Sequence, residues 1–436
     1  MSKVDRTNKP RESEISIDAS QLRPGVHVRL PMSWLEHGFI FNSFVISNEA
    51  QARQIAAMNL PQLFCDVKRS KVPPLPKLPD PPSTTQANDA DEERERLAAL
   101  KAEVIAEKRG RAMAMNKMRK RLDKAQDNYI DAARSVGSAF KSFIAEPKES
   151  FRQASDISER SAAALFADKD SAIVLITEKG RNDGHASHAL SVMTLALLLA
   201  KQTGLPEEAL HAIGVGALLH DIGKISFHSS ILRNPARNKF EEAVYRTHCR
   251  VGYESALQAG GLSQAMLDII LHHHERINGS GFPDQLVGEE IMFASRLVAI
   301  VDRFDNLTNP IDCYSALSPS EALAMMWGKE KKLFDHNLLQ LFVKTMGVYP
   351  PGSVVQLSDG RVGAVIASAP TEKPLSPQIL LYEPSVPRSQ AIILDLVKES
   401  SIKIERPLRL NERSEEELNY LLPRRRISWT FIEGQG

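Results

Sequence analysis

Three kinds of feature are scarce or missing in this sequence, and each absence excludes a class of protein. Three cysteines in 436 residues have no paired spacing, which argues against a disulfide framework or a thiolate metal site and favours a reducing compartment. No apolar run reaches about 18 residues and the polar N-terminus lacks an apolar core, so we expect neither a membrane-spanning helix nor a signal peptide. The net charge of +1 indicates no nucleic-acid or membrane-surface partner. These observations predict a cytoplasmic protein.

The chain is long enough for two or three domains, and its composition changes along its length. The expected segments are a disordered stretch at 1–14, a β-rich module at 15–68, a proline-rich linker at 69–90, a charged helical linker at 91–147, a helical domain at 150–345 and a small β appendage with a tail at 348–436. No strand pattern interrupts the helical domain, so we predict it to be all-α. The fold class is therefore mainly α, with a central helical bundle and small β-containing modules at the N- and C-termini.

The charged segment at 91–147 leaves three interpretations open. It is dense in helix formers and in charge pairs spaced by four residues, which predicts one or two long helices. A short apolar stripe of Leu97, Leu100 and Val104 fits either a solvated linker or a helix that pairs two chains as a homodimer. The basic stretch between 108 and 124 also fits a nucleic-acid contact, but the lack of aromatic stacking residues disfavours it.

Histidine is concentrated in the helical domain, where nine of the twelve histidines lie between positions 185 and 274. The stretch GVGALLHDIGK at 214–224 is an apolar helix that ends in His220 and Asp221, and Lys224 adds a cation. An imidazole and a carboxylate at one helix end are directed at one point beyond it, as a metal site requires.

Seven residues of this domain have metal-binding side chains at defined places on predicted helices. They are His188, His220, Asp221, His248, His273, His274 and Asp302. Five imidazoles and two carboxylates exceed what one ion can use, so they suit two adjacent ions bridged by a carboxylate and a water or hydroxide. Nitrogen and oxygen ligands without sulfur suit iron or manganese better than zinc.

Residues 185–345 resemble an HD-GYP domain, a branch of the HD superfamily of metal-dependent phosphohydrolases. The resemblance rests on HDIGK at 220–224, THCRVG around His248, HHERINGSGFP at 273–283 and VAIVDRFDNLT at 298–308. The preceding module, with LRPGVHV and FIFNSFVI, resembles the small domain that often precedes HD-GYP domains in bacterial proteins. The resemblance implies an HD-type helical bundle that hydrolyses cyclic di-GMP to linear pGpG, and in some members to GMP.

The resemblance also implies roles for individual residues. The seven residues with metal-binding side chains would be the ligands, and Asp221 would bridge two ions. Lys224 would act with Asp221 in catalysis by contacting a phosphate or the bridging hydroxide. The expected substrate contacts are Lys224, Arg276, Gly281, Phe282, Pro283 and Asp305.

Several positions depart from the family pattern. The GYP signature has Phe282 in place of tyrosine, which keeps the ring and loses the hydroxyl, and Asn278 replaces the usual aspartate. Gly184 stands where members with three metals have glutamate, so we expect two ions. His272 should turn away from its two neighbours, because successive helical positions lie about 100° apart.

The basic residues that often follow the DALTS-like segment of the family are also missing. Ile311, Tyr314 and Ser315 take their positions, so the phosphates of a cyclic dinucleotide would lose charge-assisted contacts. Three functions follow: an active cyclic di-GMP phosphodiesterase, a weakly active or inactive cyclic di-GMP-responsive scaffold, and a phosphohydrolase of another nucleotide or phosphoester. The missing basic residues favour the scaffold, whereas the complete ligand set favours the two enzymes.

Overall fold

The computed structural model describes residues 10, 13–32, 39, 42–58, 60, 62–77, 89–166, 172–176, 184–370, 372–399, 401–423 and 427–432. The chain separates into two compact units, residues 1–118 and residues 119–436. No helix in the described ranges combines the length and the apolar character needed to cross a membrane.

The first unit contains a four-stranded antiparallel sheet, as the predicted β-rich module requires. Its strands are β1 (Glu14–Ile17), β2 (His27–Arg29), β3 (Ser43–Val45) and β4 (Leu63–Asp66), in the spatial order β1-β4-β2-β3, and α1 (Glu49–Ala56) precedes β4. Buried side chains, among them Val28 and Ile55, form its core. Glu14 pairs with Asp66 in the sheet, although we expected it to be disordered. Most of residues 1–14 lie outside the described residues.

The proline-rich segment begins as part of this module. The amide of Lys71 donates to the Gly25 oxygen at 2.7 Å, and the amide of Leu75 donates to the Gln21 oxygen at 2.9 Å. Residues 78–88 of the predicted linker lie outside the described residues. The next element, α2 (Asp89–Ser142), is one continuous helix, about 80 Å long at 1.5 Å per residue.

The second unit is built on a bundle of helices. After α2 come α3 (Pro147–Phe166), α4 (Gly184–Lys201), α5 (Glu207–Leu219), α6 (Ser229–Leu232), α7 (Lys239–Arg246), α8 (His248–Ala259), α9 (Gln264–His272), α10 (Phe293–Thr308), α11 (Pro319–Gly328) and α12 (His336–Met346). Almost every residue of α4 is buried, as expected for an apolar helix at the centre of a bundle. Helices α3, α5, α10 and α12 pack against it. Ser318 and Glu321 form a capping box at the start of α11.

One strand interrupts the helical domain, so the all-α prediction was wrong. β5 (Ala172–Ile176) joins a sheet with β6 (Val354–Leu357), β7 (Val362–Ala367), β8 (Gln378–Leu381), β9 (Ile393–Asp395), β10 (Ile404–Leu408) and β11 (Ser428–Ile432). The order is β10-β6-β7-β5-β11, and β8 pairs with β7 and β9. All neighbouring strands in this sheet run antiparallel to each other. A short helix, α13 (Glu415–Leu421), precedes β11.

The C-terminal segment is not an appendage of its own, because its sheet takes a strand from the helical domain. β5 pairs with β11 along its whole length, from Ala172 opposite Ile432 to Ile176 opposite Ser428. The sequence of β5, AIVLI, is apolar without alternation, since its central residues are buried on both faces. A short apolar run of this kind is not distinguishable from buried helix by its pattern. The basic run at 424–426, predicted as a tail, lies outside the described residues.

Candidate metal centre

The HDIGK stretch turns at the end of α5 and places its side chains inside the bundle. His220 and Asp221 are 0% and 5% exposed. A short 3-10 turn, Ile222–Ser226, follows them. Gly223 lets this turn lie against the start of α8, because a Cβ at this position would be 2.0 Å from the backbone oxygen of His248. A larger residue would push the turn away from α8.

Backbone carbonyls orient three of the histidines. The Nδ1 atoms of His220, His248 and His273 lie 2.6, 2.6 and 3.0 Å from the backbone oxygens of Ala217, Tyr245 and Ile270. A carbonyl only accepts hydrogen bonds, so each Nδ1 carries the proton and each Nε2 presents a lone pair to the cluster. Metal-ligating histidines are held in this way.

A carboxylate orients His188, which lies on α4. Its Nδ1 donates to Asp305 Oδ2 on α10 at 2.6 Å. The other oxygen of Asp305 accepts from Asn309 Nδ2 at 3.0 Å, and the residue is 1% exposed. The expectation that Asp305 contacts the substrate was therefore wrong, because its carboxylate is enclosed and occupied. Asp305 positions the His188 ring instead.

Asp221 stands between two groups of histidine nitrogens. Its Oδ2 lies 3.6 Å from His188 Nε2 and 3.5 Å from His220 Nε2. Its Oδ1 lies 3.3 Å from His248 Nε2 and 3.6 Å from His273 Nε2. Among the described residues Oδ1 has no hydrogen-bond partner. Each oxygen of this one carboxylate can therefore serve a different cation.

Asp302 and His274 complete the cluster. Asp302 Oδ1, on α10, lies 3.2 Å from His188 Nε2 and 3.6 Å from His220 Nε2. Asp302 Oδ2 lies 3.6 Å from His274 Nδ1. The structure thus brings together all seven residues that we predicted as metal ligands.

Burial and charge set the protonation of these groups. Burial lowers the pKa of His273 to about 4, so this imidazole is neutral and free to donate its lone pair. Burial alone would raise the pKa of Asp221, but the Lys224 cation holds it well below its usual range. Burial also opposes charge on His188, yet its two carboxylate partners raise the pKa of His188 to about 10. The His188 side of the cluster therefore favours a positive charge, and a metal ion bound there would replace this proton.

Lys224 contacts Asp221 within the protein. Its Nζ lies 2.5 Å from Asp221 Oδ2 and 5.1 Å from the centroid of the Tyr245 ring. Although burial favours the neutral amine, the charge of Asp221 raises the pKa of Lys224 above its ordinary value. The ammonium group is therefore charged, and it holds the carboxylate of Asp221 in place.

The segment with the GYP-like signature lies at one edge of the cluster. The centroid of the Phe282 ring is 4.7 Å from that of His274, and the Arg246 guanidinium is 5.0 Å from the Phe282 centroid. Gly281 packs on the preceding turn, because a Cβ there would lie 2.5 Å from Glu275 Cα. An aromatic ring and a cation therefore border the metal-binding side chains.

Two further predicted substrate contacts lie in or beside the same loop. Pro283 follows Phe282 through a cis peptide bond and is half-buried. The guanidinium of Arg276 lies 4.8 Å from the Phe334 ring centroid and donates to the backbone oxygen of Glu275 at 3.1 Å. Substrate contact by these two residues stays a prediction.

Three other predictions concern residues around the cluster. His272 faces away from it, as predicted, with Asp268 Oδ1 2.8 Å from its Nδ1 and Asp284 Oδ2 3.0 Å from its Nε2. Ile311 and Tyr314 are 49% and 71% exposed, and neither side chain carries a positive charge. The prediction of donors without sulfur stays a prediction, although the Sγ of Cys249 lies 3.5 Å from His248 Nε2. The spacing of cysteines along the sequence could not indicate the position of Cys249, since most neighbours of its thiol come from other elements.

Sequence analysis also missed Glu275, which organises the GYP-like loop. Its carboxylate is 1% exposed and accepts hydrogen bonds from the backbone amides of Asp284, Gln285 and Leu286 at 2.7, 2.9 and 3.1 Å. One acidic residue in a polar stretch gives no periodic signal. Only the folded loop shows that it is buried.

We expect Glu275→Gln to loosen this loop while the bundle stays folded. The amide group cannot accept three hydrogen bonds as the carboxylate does, and hydrogen bonds to charged groups contribute about 1.5–3 kcal/mol each. Hydrogen exchange of the three loop amides should accelerate at least about tenfold, which corresponds to 1.4 kcal/mol. Glu289→Gln, at an exposed position of the same loop, is the control. Unchanged exchange in Glu275→Gln would show that the carboxylate does not hold the loop.

Comparison with protein families identifies both regions of the chain. Residues 163–338 match the HD domain, and residues 14–154 match a domain of unknown function designated DUF3391. The bundle with its histidine and aspartate cluster is therefore an HD domain, a metal-dependent family. With its GYP-like loop and its N-terminal domain, the chain is an HD-GYP-type protein.

The matches to curated relatives cover different shares of this chain. Cyclic di-GMP phosphodiesterase PA4108 of Pseudomonas aeruginosa is 28% identical over 364 residues, 80% of this chain and 81% of the relative. Cyclic di-GMP phosphodiesterase response regulator RpfG of Xanthomonas campestris is 40% identical over 162 residues, 35% of this chain and 41% of the relative. Among solved structures, the HD-GYP protein Bd1817 of Bdellovibrio bacteriovorus is 16% identical with a TM-score of 0.41, over 76% of this chain and 98% of that chain.

Proposed function

We propose that this protein is a metal-dependent phosphodiesterase that hydrolyses cyclic di-GMP to linear pGpG, with GMP as a further product, in bacterial second-messenger signalling. The observation that carries the proposal is the position of Asp221, whose two oxygens face two separate groups of histidine nitrogens. The substrate is the one in the names of PA4108 and RpfG, and the match to PA4108 spans 80% of this chain.

The donor groups support two divalent ions. His188, His220 and Asp302 would hold one ion, His248 and His273 would hold the second, Asp221 would contact both and His274 would lie beside Asp302. Two such ions activate a water molecule and stabilise the negative charge that develops on a phosphate. Imidazole and carboxylate donors favour iron or manganese. Gly184 supplies no carboxylate at the start of α4, which supports two ions rather than three.

The chain's own residues would bind and orient the dinucleotide. The Phe282 ring offers a face on which a guanine can stack. Arg246, with its side chain 50% exposed, lies beside this ring and can reach a phosphate. We propose that Arg246 and Lys224 supply the charge that Ile311, Tyr314 and Ser315 do not.

Arg246→Gln should weaken substrate binding more than the chemical step. The loss of a charge-assisted contact costs about 1.5–3 kcal/mol, so KM should rise roughly 10- to 100-fold with little change in kcat. Arg152→Gln is a matched control. Arg246 pairs with Glu242 of its own helix at 3.1 Å, and Arg152 pairs with carboxylates of its own helix in the same way but lies on α3. An unchanged KM would remove Arg246 from the substrate site.

Turnover of cyclic di-GMP by the full chain is the direct test of the function. The protein would be purified anaerobically, depleted of metal with a chelator and reloaded with iron or manganese. We expect no product from the depleted protein and pGpG from the reloaded protein. A protein that takes up metal but produces no pGpG would contradict the proposal.

Two alternatives keep specific support, and the same assay separates them. The missing cations at 311, 314 and 315 favour a weakly active or inactive protein that binds cyclic di-GMP as a scaffold; such a protein would bind the dinucleotide without turnover. A relative named 3'3'-cGAMP-specific phosphodiesterase 2, of Vibrio cholerae, is 33% identical over 131 residues, 30% of this chain and 25% of the relative. The substrate panel therefore includes 3'3'-cGAMP, and faster turnover of it would move the assignment to that nucleotide.

We also propose that the chain works in the cytoplasm and forms a homodimer through α2. The three cysteines are free, as suits a reducing compartment. Ile105 and Met113 on α2 are 37% and 73% exposed and lie about 80° apart around the helix, which supports an apolar contact with a second copy. Met113→Glu should convert a dimer of 48.4 kDa chains to monomers in light scattering, whereas Leu257→Glu, at an exposed position of α8, should not. A wild-type monomer would contradict the proposal.

A further inference from the structure

The thiol of Cys249 lies inside the metal cluster. The residue is fully buried, and its Sγ is 3.5 Å from His248 Nε2 and 4.0 Å from His273 Nε2. Those two nitrogens are 3.4 Å apart. One donor atom from each of His248, Cys249, His273 and His274 lies within 4.8 Å of the others.

Two of these three separations match the edges of a coordination tetrahedron, and the third, from Sγ to His273 Nε2 at 4.0 Å, is longer. With metal–nitrogen bonds of about 2.0–2.1 Å and metal–sulfur bonds of about 2.3 Å, nitrogen–nitrogen edges are roughly 3.3 Å and nitrogen–sulfur edges roughly 3.6 Å. The Sγ of Cys249 and the two Nε2 atoms are therefore close enough together to be ligands of one ion.

A second, independent observation points to the same place. Asp221 Oδ1 lies 3.3 and 3.6 Å from the same two nitrogens, is buried, and has no hydrogen-bond partner among the described residues. A buried carboxylate oxygen without a partner is costly unless a cation compensates it. His248, Cys249, His273 and Asp221 thus converge from α8, the end of α9 and the HDIGK turn.

We propose that Cys249 is a thiolate ligand of the ion held by His248 and His273, with Asp221 Oδ1 as the fourth donor. The inference rests on the proposed metal centre and deepens it. Binding forms a metal–sulfur bond and releases the thiol proton to water, so no oxidant or reductant is needed. Cys249 makes the two metal positions unequal. His188, His220 and Asp302 provide nitrogen and oxygen, whereas the Cys249 position adds sulfur and favours softer ions such as zinc or ferrous iron.

Cobalt substitution of the full chain tests the ligand directly, without reference to turnover. We expect Co²⁺-loaded wild-type protein to show a sulfur-to-cobalt charge-transfer band in the near ultraviolet and metal–sulfur scattering at about 2.3 Å in X-ray absorption. Both signals should be lost in Cys249→Ser and kept in Cys313→Ser, since Cys313 lies outside the cluster. Zinc affinity of Cys249→Ser should fall at least about 10- to 100-fold, because even outer-shell partners contribute that much.

The possible results separate this inference from the proposed function. If wild-type protein binds two cobalt ions per chain with neither sulfur signal, Cys249 is not a ligand, and the metal centre stands without it. If wild-type protein takes up no cobalt, zinc, iron or manganese, the proposed metal centre fails, and this inference fails with it. The wild-type spectrum decides even if Cys249→Ser does not fold. Sulfur signals that persist in Cys249→Ala would also overturn the assignment.

Discussion

Asp221→Asn should remove metal binding and turnover together. Asparagine keeps the size of the side chain but loses the charge, and its amide nitrogen cannot replace the oxygen that faces one of the two histidine groups. The Lys224 ammonium, 2.5 Å away, also loses the carboxylate that compensates it. We expect kcat to fall about 10³-fold or more, as when one member of a catalytic unit is removed. The metal content, measured on the same sample, should fall below the two ions per chain expected for the wild type.

Asp359→Asn is the matched control for this prediction. Asp359 is also a carboxylate paired with a cation, Arg361, but it lies at the turn between β6 and β7. Its loss should change neither metal content nor turnover. If Asp221→Asn keeps two ions and turns over substrate within a few-fold of wild type, the carboxylate does not bridge the ions.

Trp429→Ala should destabilise the second unit strongly, although the residue is near the end of the chain. Its side chain is 0% exposed and lies 5.4 Å, between ring centroids, from Phe304 of α10. Its Nε1 donates to the Pro351 oxygen at 3.3 Å. Removal of a buried tryptophan side chain costs about 3–5 kcal/mol, which is a large part of the stability of a typical domain.

Hydrogen exchange at the amides of β5 and β11 measures this effect in the second unit alone. Trp327→Ala is the control, because that side chain is 38% exposed and should contribute about 1 kcal/mol or less. If the two variants have equal effects, β11 is dispensable, and the C-terminal sheet is a separate appendage after all.

Local physical signals account for the part of the fold and of the site that the sequence predicted. Helix starts at Ser263 and Ser318 were readable because a cap needs only three or four neighbouring residues. Five of the metal-binding residues lie at or next to the ends of predicted helices, where an apolar run changes to histidine or aspartate. Their type and number indicated a two-ion centre before any distance was known.

Other features depended on residues that are distant in the chain. The apolar run of β5 became a strand because β11, some 250 residues later, supplies its hydrogen bonds. Asp305 looked like a substrate contact until α4 placed His188 against it. Glu275 and Cys249 had no spacing that indicated their partners.

By itself, then, the sequence predicted the chemistry of the candidate site: a helical domain with imidazoles and carboxylates suited to metal ions. Only the tertiary structure decided which oxygen of Asp221 faces which histidines, that the Cys249 thiol lies beside two of them, and that the C-terminal strands complete the domain. The physical reason is the range of the interactions. Capping and helix periodicity act within a few residues, whereas burial, strand pairing and ligand convergence depend on how distant segments pack.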